Sequence, residues 1–426
     1  MKSLAMILAA AGLVVGGAVP AGGTTWDVNP GESIQTAIDG AADGDTVNVA
    51  AGTYTENLSL NAAAAKQLTL QGAGSGCGAG DTVIQSATAG SDVDVVHIAY
   101  GGKSATERLV LKDLRLTGGT GMGVEMGAAA SVTISHITFD NVAAVSNDYA
   151  GIALNHVGDA DDLVLDGCYL ADNGKGFRVP SSLDELGSLS LTGCTVENNT
   201  GIGLIVYTLD AGSVSVTDCT FSGNSSGEHT GGDIVFSGYN GDLTIDNVTV
   251  NSSNADSGIR LSGNKHSDKT PTGPAGNVLL RDVTLTGTQA GTYPGAALTI
   301  SRYTDGSSIT FDNVGLNSTA PFGLHVGTMD GDLDLGGEVA FAGSYTSYDI
   351  QLGRHGDQTD PGNTYPLATV DIDAIGCGLT EADVWDQDDD PALGQVTTAA
   401  PPVPEPGVMG LVGLGLLSVM RRKRRS

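Results

Sequence analysis

Positive charge is the scarcest property of this chain. Its 426 residues carry 19 Lys and Arg against 49 Asp and Glu, a net of −30 at neutral pH. Six of the cations are Lys2 and the terminal run Arg421-Arg422-Lys423-Arg424-Arg425; setting these aside with Glu405 leaves 13 basic against 48 acidic residues, a net of −35 on the body of the chain. Such a surface repels phosphate, which excludes nucleic acid as a partner. An anionic polysaccharide could bind only through cations or a local basic site. Acidity of this degree also keeps an exported protein soluble.

Large side chains are scarce too. Aromatic residues make up 5% of the chain, while glycine occupies 63 positions. Compact single cores stop growing at about 250 to 300 residues, so a chain of this length must be elongated or repetitive. Disorder is excluded as the reason for so much glycine, because 40% of the residues are hydrophobic and alternate as strands do. Five cysteines leave at least one unpaired.

Both ends are apolar. Lys2, the run Leu4 to Val19 and the small-residue site near Val19-Pro20-Ala21 read as a secretory signal peptide over residues 1–21. At the other end, a linker over 397–402 leads to Pro404-Glu405-Pro406, an apolar run from Gly407 to Met420 and the basic terminus. That run is short for a membrane span of about twenty residues, but flanking arginines can snorkel and hold the tail on the cytoplasmic side. The order of Pro-Glu-Pro, apolar helix and Arg-rich terminus over 403–426 resembles the PEP-CTERM sorting signal of diderm bacteria. That resemblance implies export, transient anchoring in the inner membrane, handling by an exosortase-type enzyme, and a cell envelope or matrix rich in exopolysaccharide.

Between the ends, Ser33 to Leu60 sets the geometry. Ile34, Ala37, Ile38 and Ala41 fall at helical spacing and form one apolar stripe. After the Asp43-Gly44-Asp45 turn the period becomes two, with Val47 and Val49 on one strand face; Gly52-Thr53-Tyr54 turns the chain, and Leu58 and Leu60 begin another strand. The helix is therefore a lid over the first strands. This run resembles the N-terminal cap of right-handed parallel β-helix (pectate-lyase-like) proteins, which implies an all-β solenoid with a short capping helix over 24–396.

The chain then restates one unit. Leu189-Ser-Leu191-Thr-Gly-Cys194 recurs in form from Leu109, Val132, Leu163, Val214, Leu243, Val278, Ile309 and, degenerately, Leu333, at intervals of 23 to 35 residues. Periods of that size with strands in every unit define a solenoid. A second strand follows in each unit, as in Gly176-Phe-Arg-Val179 and Gly258-Ile-Arg-Leu261. A leucine-rich horseshoe is set aside, because its asparagine column and helical segments are missing. Cys168, Cys194 and Cys219 share one column of three units, where other units hold Leu114, Ile137, Val248, Val283 and Val314. Buried packing is therefore their expected role. Cys77 and Cys377 stand near opposite ends, which argues against a disulfide between them.

The segment Asp389-Asp390-Pro391-Ala-Leu393-Gly394-Gln-Val396 resembles the closing segment of many β-helix repeat regions. Its carboxylates, Asp386, Asp388, Asp389 and Asp390, are where calcium would be held. They lack the glycine and terminal glutamate of an EF-hand loop, so no cofactor is required by the sequence.

Chemistry on such a fold is expected on the outward face of one sheet. The middle residues of the second strands are Glu125, Ala153, Arg178, Gly203, Val235, Arg260, Ala297 and His325. Lyases resembling this fold need a charge neutraliser beside a base, and pectin hydrolases need clustered aspartates. Arg178, Arg260 and His325 are the weak catalytic candidates, spaced about 14 and 10 Å along the stack. The Asn-Thr-Asp, Gly-His-Gly and Arg-Ile-Lys motifs of the hydrolase family are absent. Tyr207, Tyr239 and Tyr303 recur before return turns and are the candidate stacking strip for a neutral or weakly charged extracellular polysaccharide. The sequence thus favours a non-catalytic structural, adhesive or carbohydrate-binding protein, with a polysaccharide lyase, hydrolase or epimerase as the alternative.

Overall fold

The computed structural model describes residues 23–398 apart from 62–63, 89, 91, 128, 156, 208–209, 226–231, 240, 254–256, 263–275, 289–294, 302–307, 328–329, 336, 353–368 and 387–395. The chain coils as a right-handed all-β parallel solenoid, the hand that parallel crossovers adopt. Every named ladder between strands is parallel and joins neighbouring coils, and Asp330–Asp334, Thr369–Asp373 and Val396–Thr397 form a separate three-stranded sheet. Among the described residues no helix is long and apolar enough to cross a membrane.

Helix α1 spans Ile34–Gly40 and closes one end. Ser33 caps it by accepting from Thr36 N, and Ile34, Ala37 and Ile38 are buried. Glu56 fixes the same terminus by accepting from Ile34 N at 3.0 Å and Gln35 N at 3.2 Å, a carboxylate at the positive end of the helix.

Each coil contributes strands to three sheets. The first sheet runs through Asp45–Val49 and Leu68–Gln71 to Glu185–Thr192 and Asp242–Asp246; the second through Gly52–Thr55 and Thr195–Glu197 to Val314–Leu316; the third through Leu58–Leu60, Val96–Ile98, Met122–Met126 and Phe177–Val179 to Val384–Asp386. The sequence shows two strands per unit; the structure has three, because a left-handed corner residue divides the long apolar run. Gly167 and Gly193 sit there at φ +59° and +61°, with Asp113, Asn141, Asp218, Asn247, Asp282 and Asn313 at equivalent corners, the residue types that tolerate this conformation. The same division makes Gly52–Thr55 a strand and not a turn.

Register corrects one unit. Leu109 and Leu163 pair with Ile137, not with Val132, so the coil is longer than the first spacing implies and Val142 takes the place expected for Ile137 beside Leu114. The cysteine column packs as expected. Cys168, Cys194 and Cys219 are buried, and their thiols donate to the carbonyls of Phe139, Leu165 and Leu191 on the preceding coil. Hydrogen bonding among the neighbouring thiols and burial push Cys194 and Cys219 upward, so both stay neutral.

An asparagine column does exist, one corner further on. Asn147 donates from N and Nδ2 to Asn173 Oδ1, each at 3.0 Å. Asn173 repeats this to Asn199, Asn199 to Asn224, and Asn224 closes the ladder on Asp233 Oδ1. These side chains are at most 2% exposed. The ladder satisfies corner amides that burial would otherwise strand, so asparagine columns are not special to the leucine-rich fold.

Candidate functional site

The outward column of the third sheet is fixed by pairing. It passes through Ser59, His97, Glu125, Ala153, Arg178, Ile205, Val235, Arg260, Thr299, His325 and Gln351. Ile205 and Thr299 therefore replace Gly203 and Ala297 of the sequence reading, since a two-residue slip preserves the strand face but moves the position. The far part of this face is closed: Ile205, Val235, Thr299, His325 and Gln351 are each 5% exposed or less. His325 is thus a buried residue, and Arg260 is half-buried between Val235 and Thr299.

The near part is open and polar. His97 Nδ1 lies 2.9 Å from Glu125 Oε2 on the next coil. Asp94, two residues before the strand Val96–Ile98, completes a group whose ligand-capable atoms all lie within 4.8 Å of one another. Each acid is oriented from behind: Asn155 Nδ2 donates to Glu125 Oε1 at 2.7 Å, and Met122 N donates to Asp94 Oδ1 at 2.7 Å. Burial, then its hydrogen bond with Glu125, pushes Asp94 up to about 7. The hydrogen bond from His97 holds Glu125 down at about 2 and pushes His97 upward. Neutral solution therefore finds Glu125 ionised beside an imidazole whose proton affinity it raises.

Two coils from Glu125, Arg178 lies 5.5 Å from the ring centre of Tyr149, and Lys175 lies 5.2 Å from it. Tyr149 is 39% exposed. It is held in the corner after Asn147 by its backbone N–H bond to Gly121 O at 2.9 Å, which turns the ring outward. Arg178 is thus part of an aromatic and cationic patch.

Of the tyrosine strip, Tyr239 is removed by its burial. Tyr239 is fully buried, edge-on to Phe236 at 5.2 Å, with its hydroxyl donating to Asp242 O at 2.8 Å. An aromatic enclosed in that way offers no face to a sugar. Tyr207 is half-buried and packs on Ile202, Ile205 and Val235. Tyr303, Asp388, Asp389, Asp390, Pro404, Glu405 and Pro406 lie outside the described residues, as do residues 1–22; Asp386 ends the strand Val384–Asp386.

Sequence reading missed three participants. His97 and Asp94 precede the first repeat unit, and the Val-His-Ile alternation at 96–98 was their available signal. Tyr149 lies in a corner between strands, where no alternation marks it.

Fold and termini define a right-handed parallel β-helix carrying a sorting signal. Residues 91–272 match the family described as "Right handed beta helix region". Residues 402–425 match the PEP-CTERM protein-sorting motif, which marks the protein for export with transient membrane anchoring before processing. No curated protein matches the chain. Among solved structures it is similar to ORF18 of Geobacillus virus E2, at 14% identity and TM-score 0.37, covering 75% of this chain and 55% of that one. It is also similar to an alginate lyase from Paenibacillus sp. str. FPU-7, at 13% identity and TM-score 0.35, covering 88% and 99%. A third is the A-module of mannuronan C-5 epimerase AlgE6 from Azotobacter vinelandii, at 15% identity and TM-score 0.32, covering 87% and 95%. None of these likenesses assigns chemistry to this chain.

Proposed function

We propose that the protein is an exported, envelope-associated β-helix that binds a neutral or weakly charged extracellular glycan without cleaving it. The observation that carries this reading is the exposed Tyr149 ring with Lys175 and Arg178 set against it. An aromatic face for stacking beside hydrogen-bond donors is what a sugar requires. The net of −35 on the body of the chain disfavours a polyanion as the ligand. An exosortase-type enzyme is the processing partner the terminal motif calls for.

Separation weighs against hydrolysis at the acid pair. Glycoside hydrolysis needs carboxyl groups about 5 to 5.5 Å apart for retention and about 6.5 to 9.5 Å apart for inversion. Asp94 and Glu125 bring carboxylate oxygens within 4.8 Å of each other, closer than either spacing. Arg178, the arginine expected to act as a charge neutraliser, is two coils from Glu125, about 10 Å along the stack, and so is not beside it.

The test is retention of the protein in gels cast with neutral glucans, followed by an overnight digest of alginate, pectin and those glucans with and without divalent cations. Tyr149→Ala and Arg178→Ala should each weaken retention several-fold, as expected for a contact worth about 1 kcal/mol, with no products formed. Unsaturated or reducing-end products that vanish in Glu125→Gln would establish an enzyme instead.

A further inference from the structure

The group formed by Asp94, His97 and Glu125 plays no part in the glycan reading, and we propose that it is a binding site for a divalent first-row transition ion of the zinc class. Three features carry this. The donors are of mixed type, one imidazole nitrogen and two carboxylate oxygens, drawn from two neighbouring coils and converging within 4.8 Å. Metal bonds of about 2.1 Å at angles between octahedral and tetrahedral place ligand atoms about 3.0 to 3.4 Å apart, and His97 Nδ1 and Glu125 Oε2 already stand 2.9 Å apart. Two carboxylates whose oxygens lie within 4.8 Å of each other repel when both ionise, and a cation between them relieves that repulsion.

The supports behind the ligands fit this role. Asn155 holds the oxygen of Glu125 that does not face His97, and Met122 N holds Asp94 Oδ1. Glu125 thus has Oε1 committed to orientation and Oε2 facing His97, the arrangement by which outer groups position metal ligands. The site is half-buried, with His97 35% exposed and Glu125 17% exposed. A three-ligand set open on the solvent side leaves positions for water or an incoming ligand. Nitrogen in the set, and only three protein donors, disfavour calcium, which takes six to eight oxygens. Ser59 and Ala153, the neighbours of this pair in the outward column, carry no charge to compete for the acids.

The experiment uses chelator-treated protein whose exposed Cys77 has been alkylated, so that thiol binding does not contribute. Titration with Zn2+, Co2+ and Ca2+ is followed by calorimetry and, for Co2+, by visible absorption. One Zn2+ or Co2+ per chain is expected to bind, at least tenfold tighter than Ca2+, with cobalt bands that report a nitrogen ligand. His97→Ala should abolish the bands, Glu125→Gln should weaken binding about 100-fold, and Asn155→Ala about tenfold or more. Glu125→Gln preserves shape and guards against a misfolded alanine variant, as does circular dichroism on each protein. Absence of saturable binding by the unsubstituted protein, preference for Ca2+, or binding unchanged in Glu125→Gln would each overturn the site. None of these outcomes bears on glycan retention through Tyr149, so the two readings fail separately.

Discussion

His97 and Glu125 are 28 residues apart in the chain and face each other directly on adjacent coils, Nδ1 to Oε2 at 2.9 Å. That proximity is produced by coil length alone. A one-residue slip of either strand would turn one of the two side chains into the core. The pair marks the open end of a sheet whose other end is closed by buried side chains.

The asparagine ladder sets a first expectation. Asn199→Ala removes the acceptor for Asn173 N and Nδ2 and takes one of two donors from Asn224 Oδ1, which keeps its bond from the residue-199 backbone N–H. Stranding buried polar groups costs about 1 to 3 kcal/mol each, so urea denaturation should show a loss of about 3 kcal/mol or more. Asn198→Ala, at the neighbouring left-handed corner, should cost about 1 kcal/mol. Equal losses would deny the ladder its special role.

Asp233 ends that ladder in a buried place, and burial pushes it up to about 6. A carboxyl raised in the folded state holds its proton more tightly than in the unfolded chain. Its contribution is therefore most favourable below about pH 4, declines as pH rises to about 6, and is constant above. Asp233→Asn keeps the acceptor for Asn224 and removes the titration. Stability curves of the two proteins should diverge between pH 4 and 6, with the variant ahead by about 3 kcal/mol at pH 7.

For the cysteine column, Cys194→Ala should cost about 1 kcal/mol and Cys194→Asp several times more, since a buried unpaired charge is far costlier than a small cavity. Of the five thiols, only Cys77 is exposed. Labelling of the native protein should be fast there, while Cys168, Cys194 and Cys219 react only after unfolding.

Tyr239→Ala tests the distinction between core and ligand face. It should destabilise by about 3 to 5 kcal/mol, as truncation of a buried aromatic does, without altering glycan retention at temperatures where the variant stays folded. Weakened retention in that folded variant would restore Tyr239 to the binding strip.

The terminal motif predicts processing. Intact-mass analysis of protein from its native envelope should find Arg421 to Arg425 missing, with cleavage near Pro404 to Pro406. A mass that keeps the tail would indicate a plain membrane anchor.

Alternation of period two, its recurrence along the chain, the helical stripe from Ile34 to Ala41 and the apolar termini are local properties, and they sufficed for a capped solenoid and an exported protein. Gly193 and Cys194 likewise announced a corner and a packed column, because glycine and small buried side chains carry the same meaning in every coil. Register was different. Whether Val132 or Ile137 stands under Leu109 depends on how many residues each corner consumes, and corners tolerate insertions that leave no trace in the alternation. Tyr239 read as a surface aromatic until the fold set its ring against Phe236. Asn147, Asn173, Asn199 and Asn224 read as ordinary turn residues until stacking aligned them. His97, Asp94 and Glu125 became one site only through coil-on-coil pairing, since contacts between residues nearly thirty positions apart are fixed by the winding of the chain and by no pattern within it.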